Sequence, residues 1–306
     1  MLNAAFAVVM PALVLDALVG DPISRWHPVA LFGSAADWCF RRAPNNGAAR
    51  QLAFGASVLL GSVALVGLGS AWLLFAVGSV APVGAVLVGV VLFKSSFAYR
   101  QLRQTVLQVA DAVRVSDLFG ARRALRALVS RDTADLDAEQ AGSAAIESLA
   151  ENLSDSLVAP FLYYVLLGVP GALAYRVVNT LDAMVGYHGE FEFLGKAAAK
   201  VDDWANWIPA RMTAGLLIVA AWLARAHCQA AFRAALRDHA RPESPNAGWP
   251  MAAMAGALDV ELEKLGHYRL GTAGRGADAW AIRQAVRVAD IAAGLAAVLL
   301  IGVSLL

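Results

Sequence analysis

Several stretches of this chain stay apolar for about the 20 residues that a helix needs to cross a bilayer, and that constrains its fold more than any other feature. Residues 2–19, 52–75, 80–99, 208–224 and 286–306 are such runs, with few charges among them. Hydrocarbon offers no water to backbone N–H and C=O groups, so runs of this kind must satisfy those groups internally as helices. Composition agrees: of 306 residues, 59% are hydrophobic and 16% charged, and the mean hydropathy is +0.58. These values lie outside the range of soluble domains. The expected fold class is all-α, a polytopic integral membrane protein with broken or re-entrant helices and amphipathic cytosolic helices. No basic residues precede the first apolar run, so residues 2–19 read as a retained span and not as a cleaved signal. A net charge of +1 speaks against nucleic acid as a partner. The two cysteines, Cys39 and Cys228, make neither a disulfide framework nor a metal-ligand pattern.

The connecting segments are more varied. Residues 20–51 open with Gly20-Asp21-Pro22 and then His27-Pro28, which predicts a sharply turned loop without a helix. Residues 100–139 are rich in arginine, with Leu102, Val106, Val109 and Val113 and then Leu118, Leu125 and Leu128 at helical spacing. Two amphipathic helices are expected there, the second ending near Arg131, with Asp132 or Thr133 capping the next. The arginines of residues 25–50 and 100–131 place both loops on the cytoplasmic side. Residues 157–178 are apolar but interrupted by Pro160 and by Gly168 to Gly171. Either they cross the bilayer, as 208–224 does, and leave 179–207 outside, or they form a helix broken at membrane depth around a polar cavity, which the acidic clusters favour. Further on come a basic amphipathic helix over 226–241, a turn over 244–250, a helix over 251–262 and a glycine-containing segment over 263–278. Within a single membrane-embedded domain, residues 100–145 thus read as cytosolic helices, 146–211 as a central acidic region and 227–285 as a soluble motif-bearing segment.

The chemistry is concentrated in 146–211. Three groups of acids and amides interrupt its apolar runs: Glu147, Glu151, Asn152 and Asp155; Asn179 and Asp182; Asp202, Asp203 and Asn206. On a helix, Glu147, Glu151 and Asp155 share one face, and three like charges there call for water, a metal ion or a cationic partner. Hard oxygen donors of this kind suit Mg²⁺, which takes one or two carboxylates together with waters and substrate phosphates. Arg211 follows Pro209 at the end of the region and can clamp a phosphate or carboxylate with its forked guanidinium. No phosphate loop with a Gly-Lys-Ser/Thr ending and no dinucleotide fingerprint is present. The residues alone leave open a transporter of a cation or polyanion and an enzyme of phosphoryl-activated chemistry.

Six motifs in order carry a resemblance over nearly the whole chain: Gly20-Asp21-Pro22 with His27-Pro28-Val29; Arg131-Asp132-Thr133; Glu147 through Asp155 with Ala159-Pro160; Asn179 through Asp182 with Met184 through Tyr187; Asp202-Asp203 with Asn206 and Pro209-Ala210-Arg211; and Ser244-Pro245-Asn246 through Ala257. Together they resemble the CobD/CbiB family of cobalamin biosynthesis. Departures from its pattern are Ser143 and Ala144 where an arginine is expected, Ala30 where a basic residue is common, and Asp259 and Leu265 in place of glycine and proline. The resemblance implies a multi-pass protein of the cytoplasmic (inner) membrane. The implied reaction joins aminopropanol or its phosphate to a propionate of adenosylcobyric acid at the expense of ATP, with Mg²⁺. A corrinoid- or cation-binding or transport protein is the alternative, and the resemblance leaves room for a homo-oligomer or a complex with later enzymes of the pathway. On this reading Glu151, Asp155, Asp182, Asp202 and Asp203 are the catalytic carboxylates, with Asp182, Asp202 and Asp203 as metal ligands. One of the carboxylates or His27 is the base that deprotonates the incoming amine. Asp21, Asn152, Asn179, Tyr187, Asn206, Ser244 and Asn246 are expected to bind substrate, and Arg131 and Arg211 to clamp phosphate.

Overall fold

The protein is described by a computed structural model covering residues 4–21, 27–129, 131–186, 192–272 and 274–306. In chain order its elements are α1 (Ala4–Leu18), α2 (Pro28–Phe40), α3 (Ala48–Val80), α4 (Pro82–Lys94), α5 (Tyr99–Arg114), α6 (Leu118–Leu125) and α7 (Ala138–Leu153). A π-helical turn (Ser154–Val158) leads into α8 (Ala159–Val185), α9 (Lys196–Ala205), α10 (Trp207–Leu223), α11 (Cys228–Asp238) and α12 (Gly248–Leu258). An antiparallel hairpin of β1 (Glu261–Lys264) and β2 (Tyr268–Gly271) precedes α13 (Ala279–Leu305). The fold is all-α apart from this hairpin. Among the described residues four helical stretches are long and apolar enough to span a membrane: Ala48–Val80, Pro82–Arg114, Ala138–Val185 and Ala279–Leu305. Helices Ala5–Leu18 and Trp207–Leu223 are apolar but shorter.

The chain divides into two compact units. The first comprises residues 1–98, 159–206 and 299–306, and the second residues 99–158 and 207–298. The region 146–211 is therefore shared out between them, with Glu147 through Asp155 in the second unit and Asn179 through Asn206 in the first.

In the first unit, Ala36, Leu59, Val177, Val178, Leu181 and Ala198 form a core where α2, α3, α8 and α9 meet. A second packed group is aromatic: Phe93 lies 5.1 Å from Phe97 and 4.2 Å from Tyr164, ring centre to ring centre. The buried Tyr164 hydroxyl donates to the carbonyl of Ala5 on α1 at 3.1 Å, so its polar end is satisfied. The expected break in 157–178 is present. Gly168 has φ 66° and ψ −158° and separates two helical stretches within α8. A side chain is disfavoured at that φ, so glycine is what permits the break, and Pro170 withholds a helical N–H just beyond it.

In the second unit, α12 lies buried along its whole length against α11, α10 and α7. Its sequence of alanines and glycine lets backbones approach closely. Asp238, fully buried at the end of α11, pins the hairpin: it accepts from the Gly271 N–H at 2.9 Å, Arg237 Nη2 at 2.6 Å and Arg241 Nη2 at 3.0 Å. Burial pushes that carboxyl up, but the two arginines and the Gly271 N–H outweigh it and hold it below the usual range.

Four sequence expectations are corrected. Residues 20–51 contain a helix, because Pro28 occupies the first helical position, where a missing N–H costs nothing, and His27 caps it. The cap of α7 is Asp137, which makes a reciprocal capping box with Gln140, while Asp132 accepts from Ala134 N in a local turn. Helix α12 ends at Leu258 and not at Leu262, because Asp259 turns left-handed with φ 54°. The residues beyond it pair as a hairpin around Gly266 (φ 74°). Four-residue strands are too short to show alternation, and the cross-strand Glu263–Arg269 pair at 2.7 Å makes this one polar.

Candidate functional site

In the first unit, α8 and α9 face each other through a chain of polar groups built around Asp202. Asn206 Nδ2 donates to one carboxylate oxygen at 2.9 Å, and Asn179 Nδ2 to the other at 3.3 Å. Each amide is itself held. Tyr175 donates to Asn206 Oδ1 at 2.8 Å and Arg176 Nη1 to Asn179 Oδ1 at 3.3 Å. Tyr163 stacks on Tyr175 at 5.1 Å and donates to the carbonyl of Ala205 at 3.1 Å, closing the aromatic side. Burial pushes the Asp202 carboxyl up to about 6 against the pull of the two amides, and the neighbouring Asp203 charge adds to the rise. Burial also raises Asp203, opposed by Lys200. A carboxylate held directly by neutral donors, with the Arg176 charge acting on it only through Asn179 and at longer range, is suited to meet a cation.

Asp182, one helical turn after Asn179, is half-buried near the end of α8. Gly186 follows it so closely that a methyl there would meet both the Asp182 carboxylate and its carbonyl oxygen. Gly186→Ala is expected to destabilise the end of α8 by about 1–3 kcal/mol, as over-packing does. A lower melting temperature in detergent checks this, and an unchanged one refutes it. Tyr187 lies outside the described residues.

Asp21 and His27 join a different group of the same unit. Lys94, buried at the end of α4, meets Asp21 Oδ1 at 2.6 Å, Asp16 Oδ1 at 3.0 Å and the carbonyl of Phe97 at 3.1 Å. His27 Nδ1 accepts from the Val29 N–H at 3.2 Å, so the neutral ring carries its proton on Nε2, which lies 3.5 Å from Asp21 Oδ1. Both ring nitrogens are thus engaged. Burial pushes the Asp21 carboxyl up, but His27 and Lys94 together bring it below its ordinary value.

In the second unit, Glu147 is not on a solvated face. It is 5% exposed and accepts from Ser143 Oγ at 2.8 Å and from the Tyr268 hydroxyl at 3.1 Å, with Arg131 Nη2 at 3.6 Å. Ser143 in turn accepts from the Glu263 N–H at 2.8 Å, tying α7 to β1. Ser143 therefore does structural work at the position where an arginine was expected. Glu151 is half-buried one turn further on. Asp155 falls in the π-helical turn, whose extra residue takes it out of strict register with the other two. Asn152 donates back to Ser148 within α7, at 3.0 Å to the carbonyl and 3.1 Å to the hydroxyl. Burial, and then the Glu147 and Glu151 charges, push the Tyr268 hydroxyl well above its ordinary value, so it stays protonated and donates. Tyr268→Phe removes one donor from a buried carboxylate, and a loss of about 1–3 kcal/mol is expected. Equilibrium unfolding of the variant checks this; a stability equal to that of the parent would refute it.

The same unit holds Arg211 in a fixed pose. Its guanidinium lies over Trp207 at 4.2 Å and Trp249 at 5.0 Å, and Nη1 donates to the carbonyl of Trp207 at 2.7 Å and to Asn246 Oδ1 at 3.4 Å. Ser244 Oγ accepts from the N–H groups of Asn246 and Ala247, at 3.3 and 3.2 Å, shaping the turn into α12. His239 stacks on Trp249 at 4.0 Å.

The structure thus joins Asn179, Asp202 and Asn206 in one unit, and Arg211, Asn246 and Ser244 in the other, where Arg131 meets Glu147. Sequence reasoning missed Lys94, Tyr175, Tyr268 and Trp249. Only the lysine carried a signal, as a lone charge in an apolar run. Among the described residues no group of three or more His, Cys, Asp or Glu side chains could hold a metal ion. That excludes an all-protein cage there and is compatible with a Mg²⁺ held by one or two carboxylates, with waters and phosphate oxygens completing its shell.

Comparison with known proteins adds what geometry cannot. The family profile described as "CobD/Cbib protein" matches residues 9–298. A "Cobalamin biosynthesis protein CobD" of Dehalococcoides mccartyi is 42% identical over 260 residues, covering 85% of this chain and 84% of the relative. Proteins with the same name from Geobacter metallireducens and Sinorhizobium fredii are 42% and 41% identical, each covering 84% of this chain and 81% of the relative. No solved structure shows a significant match. With a profile match over nearly its whole length and relatives this similar, the chain belongs to the CobD/CbiB family.

Proposed function

We propose that this protein acts in cobalamin biosynthesis as an ATP-dependent amide ligase, joining aminopropanol or its phosphate to a propionate carboxylate of adenosylcobyric acid. The observation that carries the reading is Asp202: a half-buried carboxylate, pre-set by two amides, in a family whose relatives are named for this pathway. In the reaction a propionate oxygen attacks the γ-phosphorus of ATP, the bond to the bridging oxygen breaks, and ADP leaves. The amine then attacks the acyl phosphate carbon and inorganic phosphate departs, so that an amide forms with the loss of one proton from the ammonium and one from the nitrogen that attacks.

In the first unit, Asp202 with Asp182 or Asp203 would hold Mg²⁺, which supplies charge neutralisation at the transferring phosphoryl group. The carboxylate of these three that the metal leaves unengaged takes the proton from the incoming ammonium. Asn179 and Asn206 set the orientation of Asp202, and Tyr175 and Arg176 set theirs. His27, with both nitrogens engaged, fits the role of a positioning group at Asp21 better than that of a base. In the second unit, Arg211 is held flat by two tryptophans beside Asn246, and its remaining guanidinium N–H groups suit a phosphate or propionate. Arg131 offers a second cationic group, partly balanced by Glu147.

The test is to incubate the purified protein in detergent with adenosylcobyric acid, ATP, Mg²⁺ and either amine, and to follow the corrinoid by mass. The expected result is an ATP- and Mg²⁺-dependent gain of one amine with loss of water. Saturable corrinoid binding without a product would overturn the ligase reading in favour of binding or transport, for which the broken α8 is the feature to pursue.

A further inference from the structure

Helices α10 and α11 form a hairpin whose outer side is concave, a groove of 520 Å³ lined by Ile218, Val219 and Trp222 from α10 and by Phe232 and Arg233 from α11. That volume is within the range of pockets that hold a discrete ligand. The groove is not unused core. The inward face of α11 is Ala231, Ala234, Ala235 and Asp238, already buried in the packing of this unit. Its outward face leaves Phe232 and Leu236 each 52% exposed, and across the groove Trp222 is 66% exposed. An apolar surface of this kind on one side of a helix hairpin marks a membrane or binding surface.

The arginines decide what the surface fits. Four of them stand on α11 or at its ends. Arg237 and Arg241 are spoken for by Asp238 at 2.6 and 3.0 Å. Arg225, in the turn between the two helices with φ 57°, and Arg233, on the groove wall, are exposed and have no acidic partner among the described residues. An apolar groove with one uncompensated cation on its wall, Arg233, and a second in the turn that joins its two helices, Arg225, complements a molecule with a long apolar chain and a net negative head. A second copy of this surface would set these arginines against their own kind, and a zwitterionic lipid would bring its own cation to them. We infer that the α10–α11 groove seats an anionic phospholipid of the bilayer, with an acyl chain along Ile218, Trp222 and Phe232 and the headgroup phosphate at Arg233 and Arg225. The interfacial position of a basic amphipathic helix, charged rim at headgroup level and apolar face toward the acyl chains, follows from the same partition. This inference does not rest on the ligase reading.

Native mass spectrometry of the full-length, delipidated protein with equal amounts of phosphatidylglycerol and phosphatidylcholine tests it. The parent is expected to retain phosphatidylglycerol preferentially. At about 1 kcal/mol per arginine near the surface, Arg225→Gln with Arg233→Gln should weaken phosphatidylglycerol binding about thirtyfold and leave phosphatidylcholine unchanged. The charge-keeping pair Arg225→Lys with Arg233→Lys should preserve the preference, which separates a lost binding site from a lost fold. Equal binding of the two lipids by the parent overturns the inference. So does a preference that survives the glutamine pair, or one that disappears in the lysine pair as well. A dimer of the parent that added phosphatidylglycerol does not disturb, and that the glutamine pair strengthens, would overturn the inference and assign the groove to a second copy instead.

Discussion

Lys94→Met is expected to lower the stability of the protein by roughly 3–5 kcal/mol, the usual cost of removing one partner from a buried charge network. Lys94 is 4% exposed and is the cation that both Asp16 and Asp21 contact, at 3.0 and 2.6 Å. Methionine fills much the same volume, so packing is nearly preserved and the loss is electrostatic. Two carboxylates would lose their shared cation, one of them with His27 at 3.5 Å. The Lys94→Met, Asp16→Asn double variant removes one of the two charges that Lys94 offsets and should recover part of the loss. Unfolding in detergent of the single and double variants measures both quantities. A single variant as stable as its parent would show that the network contributes nothing, and a double variant no better than the single would show that the damage is steric. Loss of Lys94 also removes the tie between Asp21 and the end of α4, so a fall in activity larger than the fall in folded protein would indicate that Asp21 and His27 serve the reaction.

Asp202→Asn should abolish turnover while leaving the fold intact. The replacement has the same shape, and the loss of a metal- or phosphate-site charge is worth several kcal/mol of transition-state stabilisation, about a hundredfold or more in rate. The pH dependence sharpens the prediction. Burial pushes the Asp202 carboxyl up from 3.8 to about 6. Because the folded value lies above the unfolded one, the protonated form is favoured by folding. The associated stability is fully present below the unfolded value and is lost as pH rises through about 6. Activity runs the other way, since only the ionised carboxylate attracts Mg²⁺: turnover should climb as pH passes about 6. The site is thus predicted to work in the state in which it is less stable, as functional carboxylates often are. A rate profile from about pH 5 to about pH 8 reads this directly. A flat profile in the parent, or a parent-like rising limb retained by Asp202→Asn, would remove Asp202 from the chemistry.

Much of the architecture could be read without coordinates. Long apolar runs leave few alternatives to helices, because an unpaired backbone group in hydrocarbon is too costly. The break in α8 was legible for a similar reason: Gly168 and Pro170 are residues whose backbone chemistry is local. Errors arose where a local signal was ambiguous. Pro28 can end a turn or begin a helix, and the choice rested on the His27 cap, a contact between a ring nitrogen and a backbone N–H two residues on. Residues 261–271 have too few positions to reveal a strand period, and their hairpin is held by Asp238, more than twenty residues earlier.

The sequence by itself determined that the chain is a helical membrane protein, that its acids and amides cluster in 146–211, and which family it resembles. All three follow from residue types and spacings along the chain, where periodicity and local backbone preference act. Only the tertiary structure decided what surrounds each of those acids. The three carboxylates that look alike as a stripe have different settings: Glu147 is locked to Ser143 and Tyr268, Glu151 is half-buried one turn on, and the π-helical turn carries Asp155 out of their register. Asp202 stands between two amides that a sequence cannot rank above any other pair. The pairings of Lys94 and Tyr268 were hidden in the sequence because the carboxylates they meet lie 73 and 121 residues away along the chain. Electrostatic pairing depends on distance in space, and in this chain that distance is set by helix packing.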